Sequence, residues 1–172
     1  MDLASEESEE RPRGMAAIVD MSELLAWVRE TRARGETIAF ANGCFDVLHV
    51  GHVRYLQAAA AEADRLIVAL NDDESVQRLK GPDRPILPAN ARAALVAALR
   101  GVDRVVVFSG TTVADLLRAI KPDVHCKGTD YTVDSVPERH IVLEYGGRTA
   151  IVGDPKDHST RDLIKQIADA AS

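Results

Sequence analysis

From Glu36 onward the chain alternates, about five times over, between a short apolar run and a longer stretch of helical period, and nothing else in it constrains the fold as strongly. The runs are residues 37–41, 65–70, 104–108, 123–127 and 149–152, each bounded by polar or glycine-containing turns. They lack the in-and-out alternation of a half-exposed strand, so they suit strands buried on both faces. The helical stretches 50–63, 89–99, 113–120, 137–145 and 159–171 supply the cover. The expected fold class is α/β, a parallel sheet of about five strands with helices on both faces. In such a sheet ligands bind at the carboxyl ends of the strands, near the switch in strand order, so the loops leaving the strands are where chemistry belongs.

Two segments precede this pattern. Residues 1–14 carry Asp2, Glu6, Glu7, Glu9 and Glu10 against Arg11 and Arg13 with little that is apolar, the composition of a disordered acidic tail. Residues 15–35 read as an N-terminal helix through Leu24, Leu25, Trp27 and Val28, capped by Ser22 and stopped by Gly35. The whole chain has 27 acids against 21 Lys and Arg, a formal charge of −6. A nucleic-acid coat or an anionic membrane is therefore not the expected partner. Five acids against two arginines put half of that charge in the tail. Two cysteines, Cys44 and Cys126, fit a reducing compartment. With no apolar run of bilayer length and an acidic N-terminus, a cytoplasmic location is expected.

The loop after the first run is the most informative stretch, Asn42-Gly-Cys-Phe-Asp-Val-Leu-His-Val-Gly-His52. His49 and His52, three apart at a helix start, can point to one ligand. The free N–H groups and positive dipole end of that start favour phosphate, and Gly43 and Gly51 allow close approach. Imidazole N–H donors can strengthen their bonds as charge develops on a phosphate. A structural helix start, or half of a metal site, would use the same residues. Four further segments should share the ligand edge. Arg78-Leu-Lys-Gly-Pro-Asp-Arg-Pro85 offers Lys80 and Arg84 to polyphosphate, or is a solvated loop. Arg92, early in a helix, opposes the dipole and so calls for an anion nearby. Lys127-Gly-Thr-Asp-Tyr131 suits a phosphate at Lys127 and a cation or hydroxyl at Asp130. His158-Ser-Thr-Arg161 opens the last helix, where Ser159 and Thr160 can cap it or receive phosphate. No GxxxxGK[ST] or GxGxxG pattern is present.

Gly43 to His52 resembles the H-x-G-H motif of the nucleotidyltransferase superfamily. Asn42 to Asp46, Arg78-Leu-Lys-Gly with Arg84-Pro85, Lys127-Gly-x-Asp130-Tyr131 and Ser159-Thr160 together resemble the D-glycero-β-D-manno-heptose 1-phosphate adenylyltransferases of ADP-heptose synthesis. These often form the second domain of a bifunctional kinase/adenylyltransferase. The resemblance runs from about residue 36 to 167 and implies a Rossmann-like nucleotidyltransferase domain over 36–172. The chain length leaves no room for the kinase, so it is the stand-alone form that is resembled, with a separate sugar kinase implied. The implied reaction moves AMP from ATP to heptose 1-phosphate and releases pyrophosphate, on the route to the lipopolysaccharide core. Two departures bear on base and acceptor: Asn90-Ala91 stand where the family has a polar pair, and Arg161 where a second Thr is frequent. A cytidylyltransferase for glycerol 3-phosphate or a similar alcohol phosphate is the alternative, and a non-catalytic nucleotide-binding module a second.

Under that resemblance His49, His52 and Lys80 are the catalytic candidates. Asn42, Gly43, Cys44, Phe45, Gly51, His52, Arg92, Ser159 and Thr160 fall to the nucleotide, and Asp46, Arg84, Lys127 and Asp130 to the acceptor or its phosphate. Mg²⁺ is expected with ATP, without direct protein ligands. A homo-oligomer is implied, and the Ala-rich stretch 57–63 could pack against either a second copy or the chain itself.

Overall fold

A computed structural model describes residues 14–155 and 158–172 of the chain. The acidic tail lies outside them except for Gly14. In chain order the elements are β1 (Ala17–Ile18), α1 (Met21–Ala33), β2 (Ile38–Gly43), α2 (Val50–Ala60), β3 (Arg65–Asn71), α3 (Asp73–Lys80), α4 (Ala89–Ala97), β4 (Arg104–Phe108), α5 (Ala114–Ile120), β5 (Val124–Lys127), α6 (Arg139–Glu144), β6 (Arg148–Ile151) and α7 (Thr160–Ala170). Among the described residues the six strands form one sheet in the order β1-β4-β3-β2-β5-β6, and all its pairings are parallel. The fold is α/β and Rossmann-like, with six strands rather than about five.

The additional strand, β1, is two residues long and pairs with the edge of β4. So short a strand has no periodicity to read, and its place comes from tertiary pairing alone. The helix after it is capped by Asp20 rather than Ser22. Asp20 Oδ1 accepts from the Glu23 amide at 2.8 Å while Glu23 Oε2 accepts from the Asp20 amide at 2.9 Å. This reciprocal box satisfies two backbone donors at once, which a cap two residues later would not. Leu24 and Val28 of α1 are buried in one cluster with Ile38 and Phe40 of β2, so α1 packs on the sheet itself.

Strand alternation divides the core into two layers. Ala39 and Ala41 of β2 and Leu66, Val68 and Leu70 of β3 face α2 and α4, whereas Ile38, Phe40, Ile67 and Ala69 face α1, α5 and α6. The Ala-rich stretch packs inward: Ala59 is fully buried, and Ala60 lies so near Gly101 that a Cβ there would be 2.9 Å from its own. β2 sits at the switch point. From it the chain steps outward through β3 to β4, then returns to its other side as β5 and β6. The crevice so made at the carboxyl ends is where the loops of interest converge. No helix among the described residues is long and apolar enough to cross a membrane.

Candidate active site

A cleft of about 1000 Å³ opens at this edge of the sheet, enough for a nucleotide with a second small molecule. Its floor is the loop between β2 and α2. Phe45 and Val47 take left-handed backbone there, φ 49° and 53°, which for bulky residues costs roughly 1–3 kcal/mol each. The turn aims Phe45 inward: its ring is buried and packs over Gly43, where an added Cβ would lie 3.1 Å from it.

His49 is the N-cap of α2. Its Nδ1 accepts from the Gly51 amide at 3.1 Å, and His52 Nδ1 lies 3.3 Å from the His49 amide and accepts in return. Each ring thus spends its Nδ1 lone pair on the helix start, which leaves the proton on Nε2 as a donor. The rings stack with centroids 4.0 Å apart. Gly51 exists for this fold-back, because a Cβ there would sit 2.8 Å from the His49 ring. Both glycines line the cleft, but the group each makes room for is a protein side chain.

The cations are arranged around this pair. Lys80, Arg84 and Lys127 line the cleft. Burial pushes the Lys127 ammonium down, against Glu138 and Asp130, which favour its charge, and its Nζ lies 4.7 Å from the centre of the Tyr131 ring. Two helix starts, those of α2 and α7, meet the same cleft and turn positive dipole ends toward it. Ser159 caps α7 by accepting from the Asp162 amide, and the Thr160 hydroxyl donates to the Asp46 carbonyl at 3.0 Å. Both hydroxyls therefore have structural work as well as a place in the cleft wall.

Two assigned residues take other roles. The resemblance puts Arg92 on the nucleotide, whereas in the structure its side chain is 0% exposed and does not line the cleft. It donates to the carbonyls of Leu87, Cys44 and Asn71 at 2.7–2.9 Å and to Asp73 Oδ1 at 2.7 Å. The anion demanded by a cation early in a helix is thus Asp73. Asp46 was placed on the acceptor, but its side chain is 1% exposed and saturated by Arg84 Nε at 2.7 Å and the amides of Ile86 and Leu87. Burial opposes its ionisation, and these three donors outweigh burial and hold the carboxyl below its ordinary value. Asp46 braces the loop that carries Arg84. Burial pushes the Cys44 thiol up, overcoming Lys80, Arg92 and Arg84.

A family model described as cytidylyltransferase-like matches residues 40–168. The chain belongs to that family. Among curated cytidylyltransferase-like relatives, the bifunctional protein HldE of Pseudomonas entomophila (strain L48) is 47% identical over 165 residues, 96% of this chain and 34% of that protein. HldE of Gluconobacter oxydans (strain 621H) is 43% identical over 171 residues, 99% of this chain and 36% of that protein. The chain spans about a third of the length of these relatives. A crystal structure of the lipopolysaccharide core biosynthesis protein from Thermoplasma volcanium GSS1 matches with a TM-score of 0.59 at 29% identity, over 69% of this chain and 95% of that one.

Of the residues singled out in this cytidylyltransferase-like sequence, Asn42, Gly43, Cys44, Phe45, Asp46, His49, Gly51, His52, Lys80, Arg84, Lys127, Asp130, Ser159 and Thr160 all line one cleft, and Arg92 alone lies behind it. Sequence reasoning missed Thr111, Thr112, Glu138 and His158, which also line it. The His158 ring is 6.3 Å from that of His49. Position after a strand was the available signal for Thr111 and Thr112; Glu138 sits in a helix-start segment with no such signal.

Proposed function

We propose that the protein transfers AMP from ATP to D-glycero-β-D-manno-heptose 1-phosphate, giving ADP-heptose and pyrophosphate. The observation that carries this is the stacked pair of imidazoles His49 and His52, set by their own helix start in a cleft with Lys80, Arg84 and Lys127. The acceptor is read from the resemblance of residues 42–46, 78–85, 127–131 and 159–160 to the heptose adenylyltransferases, and the similarity to HldE supports it.

In this reading a phosphate oxygen of the sugar 1-phosphate attacks the α-phosphorus of ATP in line and pyrophosphate leaves. The nucleophile is an anion at neutral pH, so no general base is required. The protein's work is to orient two anions and to offset their charge. His49 and His52 donate to the α-phosphate and leaving group, Lys80 and Arg84 neutralise the polyphosphate, and Lys127 holds the acceptor phosphate. Arg84 meets Asp46 through Nε, which steers its guanidinium without consuming its terminal nitrogens. Among the described residues no group of three or more His, Cys, Asp or Glu could hold a metal ion, and Asp46 is committed to Arg84 and two amides. A Mg²⁺ accompanying the triphosphate would supply charge neutralisation beside Lys80, Arg84 and Lys127.

The family description keeps a cytidylyltransferase reading in view. Pyrophosphate release measured with ATP and CTP, each against heptose 1-phosphate and glycerol 3-phosphate, separates the readings. Release with ATP and heptose 1-phosphate alone is expected. Release only with CTP and glycerol 3-phosphate would replace the reading, and nucleotide binding with no release from any pair would make the chain a binding module.

A further inference from the structure

Glu138 is an acid of the cleft wall whose chemistry nothing above uses. It is 9% exposed and lies in the cleft wall at the start of α6. Its Oε2 is buried with no hydrogen-bond partner, and its Oε1 meets only a long bond from the Thr112 hydroxyl, at 3.4 Å. An ionised carboxylate accepts up to about four hydrogen bonds and donates none. A buried acid with its lone pairs this poorly used carries a desolvation cost that needs an explanation. No ion pair to Glu138 forms among the described residues, and Lys127, whose charge Glu138 favours, acts on it through space without a hydrogen bond to its oxygens. Helix capping does not supply the explanation, because its side chain makes no cap bond to α6.

We propose that Glu138 reads the hydroxyl groups of the acceptor, accepting hydrogen bonds from a polyhydroxylated phosphate ester whose phosphate rests on Lys127. The inference rests on the functional reading above and adds to it the residue that recognises the neutral part of the acceptor. The chemistry selects the ligand. A carboxylate accepts hydrogen bonds and donates none, so Glu138 suits hydroxyl donors, and a phosphate sits near it only where a cation such as Lys127 offsets the repulsion. Lys127, near enough for Glu138 to favour its charge, puts the acceptor's phosphate beside the acid. The terminal torsion of a Glu is soft, so a small turn brings the unpartnered oxygen toward the cleft. The Thr112 hydroxyl, exposed beside it, can then re-pair with the sugar.

The test is calorimetric binding of heptose 1-phosphate to the protein saturated with α,β-methylene ATP, for wild type and Glu138→Gln, with thermal unfolding recorded for both. The expected result is a roughly 10- to 100-fold loss of acceptor affinity in the variant with nucleotide affinity unchanged. Singly deoxygenated heptose 1-phosphates form a second arm that leaves the protein intact. At least one should bind wild type more weakly by a similar factor, and Glu138→Gln should be indifferent to that same deletion, a coupling that a merely structural acid would not show. Equal acceptor affinity in both proteins, or no coupling to any hydroxyl, would overturn the role of Glu138. If wild type binds glycerol 3-phosphate and not the heptose, the function proposed above fails while Glu138 is scored in the same way, with hydroxyl-free n-propyl phosphate as the deleted ligand. Binding of neither acceptor would overturn both.

Discussion

A histidine that caps its own helix is an unusual choice, since Ser, Thr, Asn and Asp are preferred there. His49 holds the position because its Nδ1 closes the helix start by accepting from the Gly51 amide while the ring lines the cleft. His52 repeats the device one turn on. Because its packing is partial and its backbone bond long, His52→Ala should unfold within a few degrees of wild type. Its turnover should fall roughly 10²- to 10³-fold, the usual effect of removing one such donor. Pyrophosphate release alongside a melting curve checks both halves, and near-normal turnover would remove His52 from the chemistry. The two histidines were readable from the chain because their partners are local, within three residues. The purpose of Gly51 was not, because what it clears is a ring whose fold-back only the three-dimensional turn reveals.

Among elements, the carboxyl ends of β2 and β3 and the starts of α3 and α4 are held together by Arg92. It sends donors to three carbonyls and a carboxylate from four different segments. Asp73 is half exposed, so most of the energy lies in the buried carbonyls that would otherwise lack a donor. Arg92→Met should therefore cost about 3–5 kcal/mol in urea unfolding. Loss of ATP affinity with stability unchanged would instead return Arg92 to the nucleotide. The place of Arg92 behind the cleft has a physical origin. A cation near a helix start needs an anion, but whether a ligand or a distant residue provides it is set by packing between elements, and Asp73 lies 19 positions upstream. The sheet's five longer strands, by contrast, announce themselves through apolar runs, a property of each segment alone. β1 has only two residues and no such run.

For the molecule as a whole, the buried His125 ties stability to pH. Burial, with a smaller push from Lys127, lowers its pKa to about 3 and so keeps the ring neutral, and its Nε2 lies 3.0 Å from the Asn42 amide oxygen, to which it donates. The unfolded chain binds this proton from about pH 6.5 downward, whereas the folded one refuses it until about pH 3. Stability contributed in this way is complete above pH 6.5 and falls on acidification by up to about 1.4 kcal/mol per pH unit within that window. Asp46, with its carboxyl held low, adds a loss of the same sign at still lower pH. Urea unfolding at pH 7.5, 6 and 5 should show the decline, and His125→Gln should flatten it; an unchanged slope in that variant would exonerate the imidazole. The sheet order has a longer reach. With β2 in the middle, the histidine bank of the cleft comes from residues 42–55 and 158–162 and the Glu138 bank from 108–113 and 127–138. The two are separate stretches of the sequence that meet at the folded edge. Such a chassis lets one wall be retailored to a new customer while the machinery opposite keeps running unaltered.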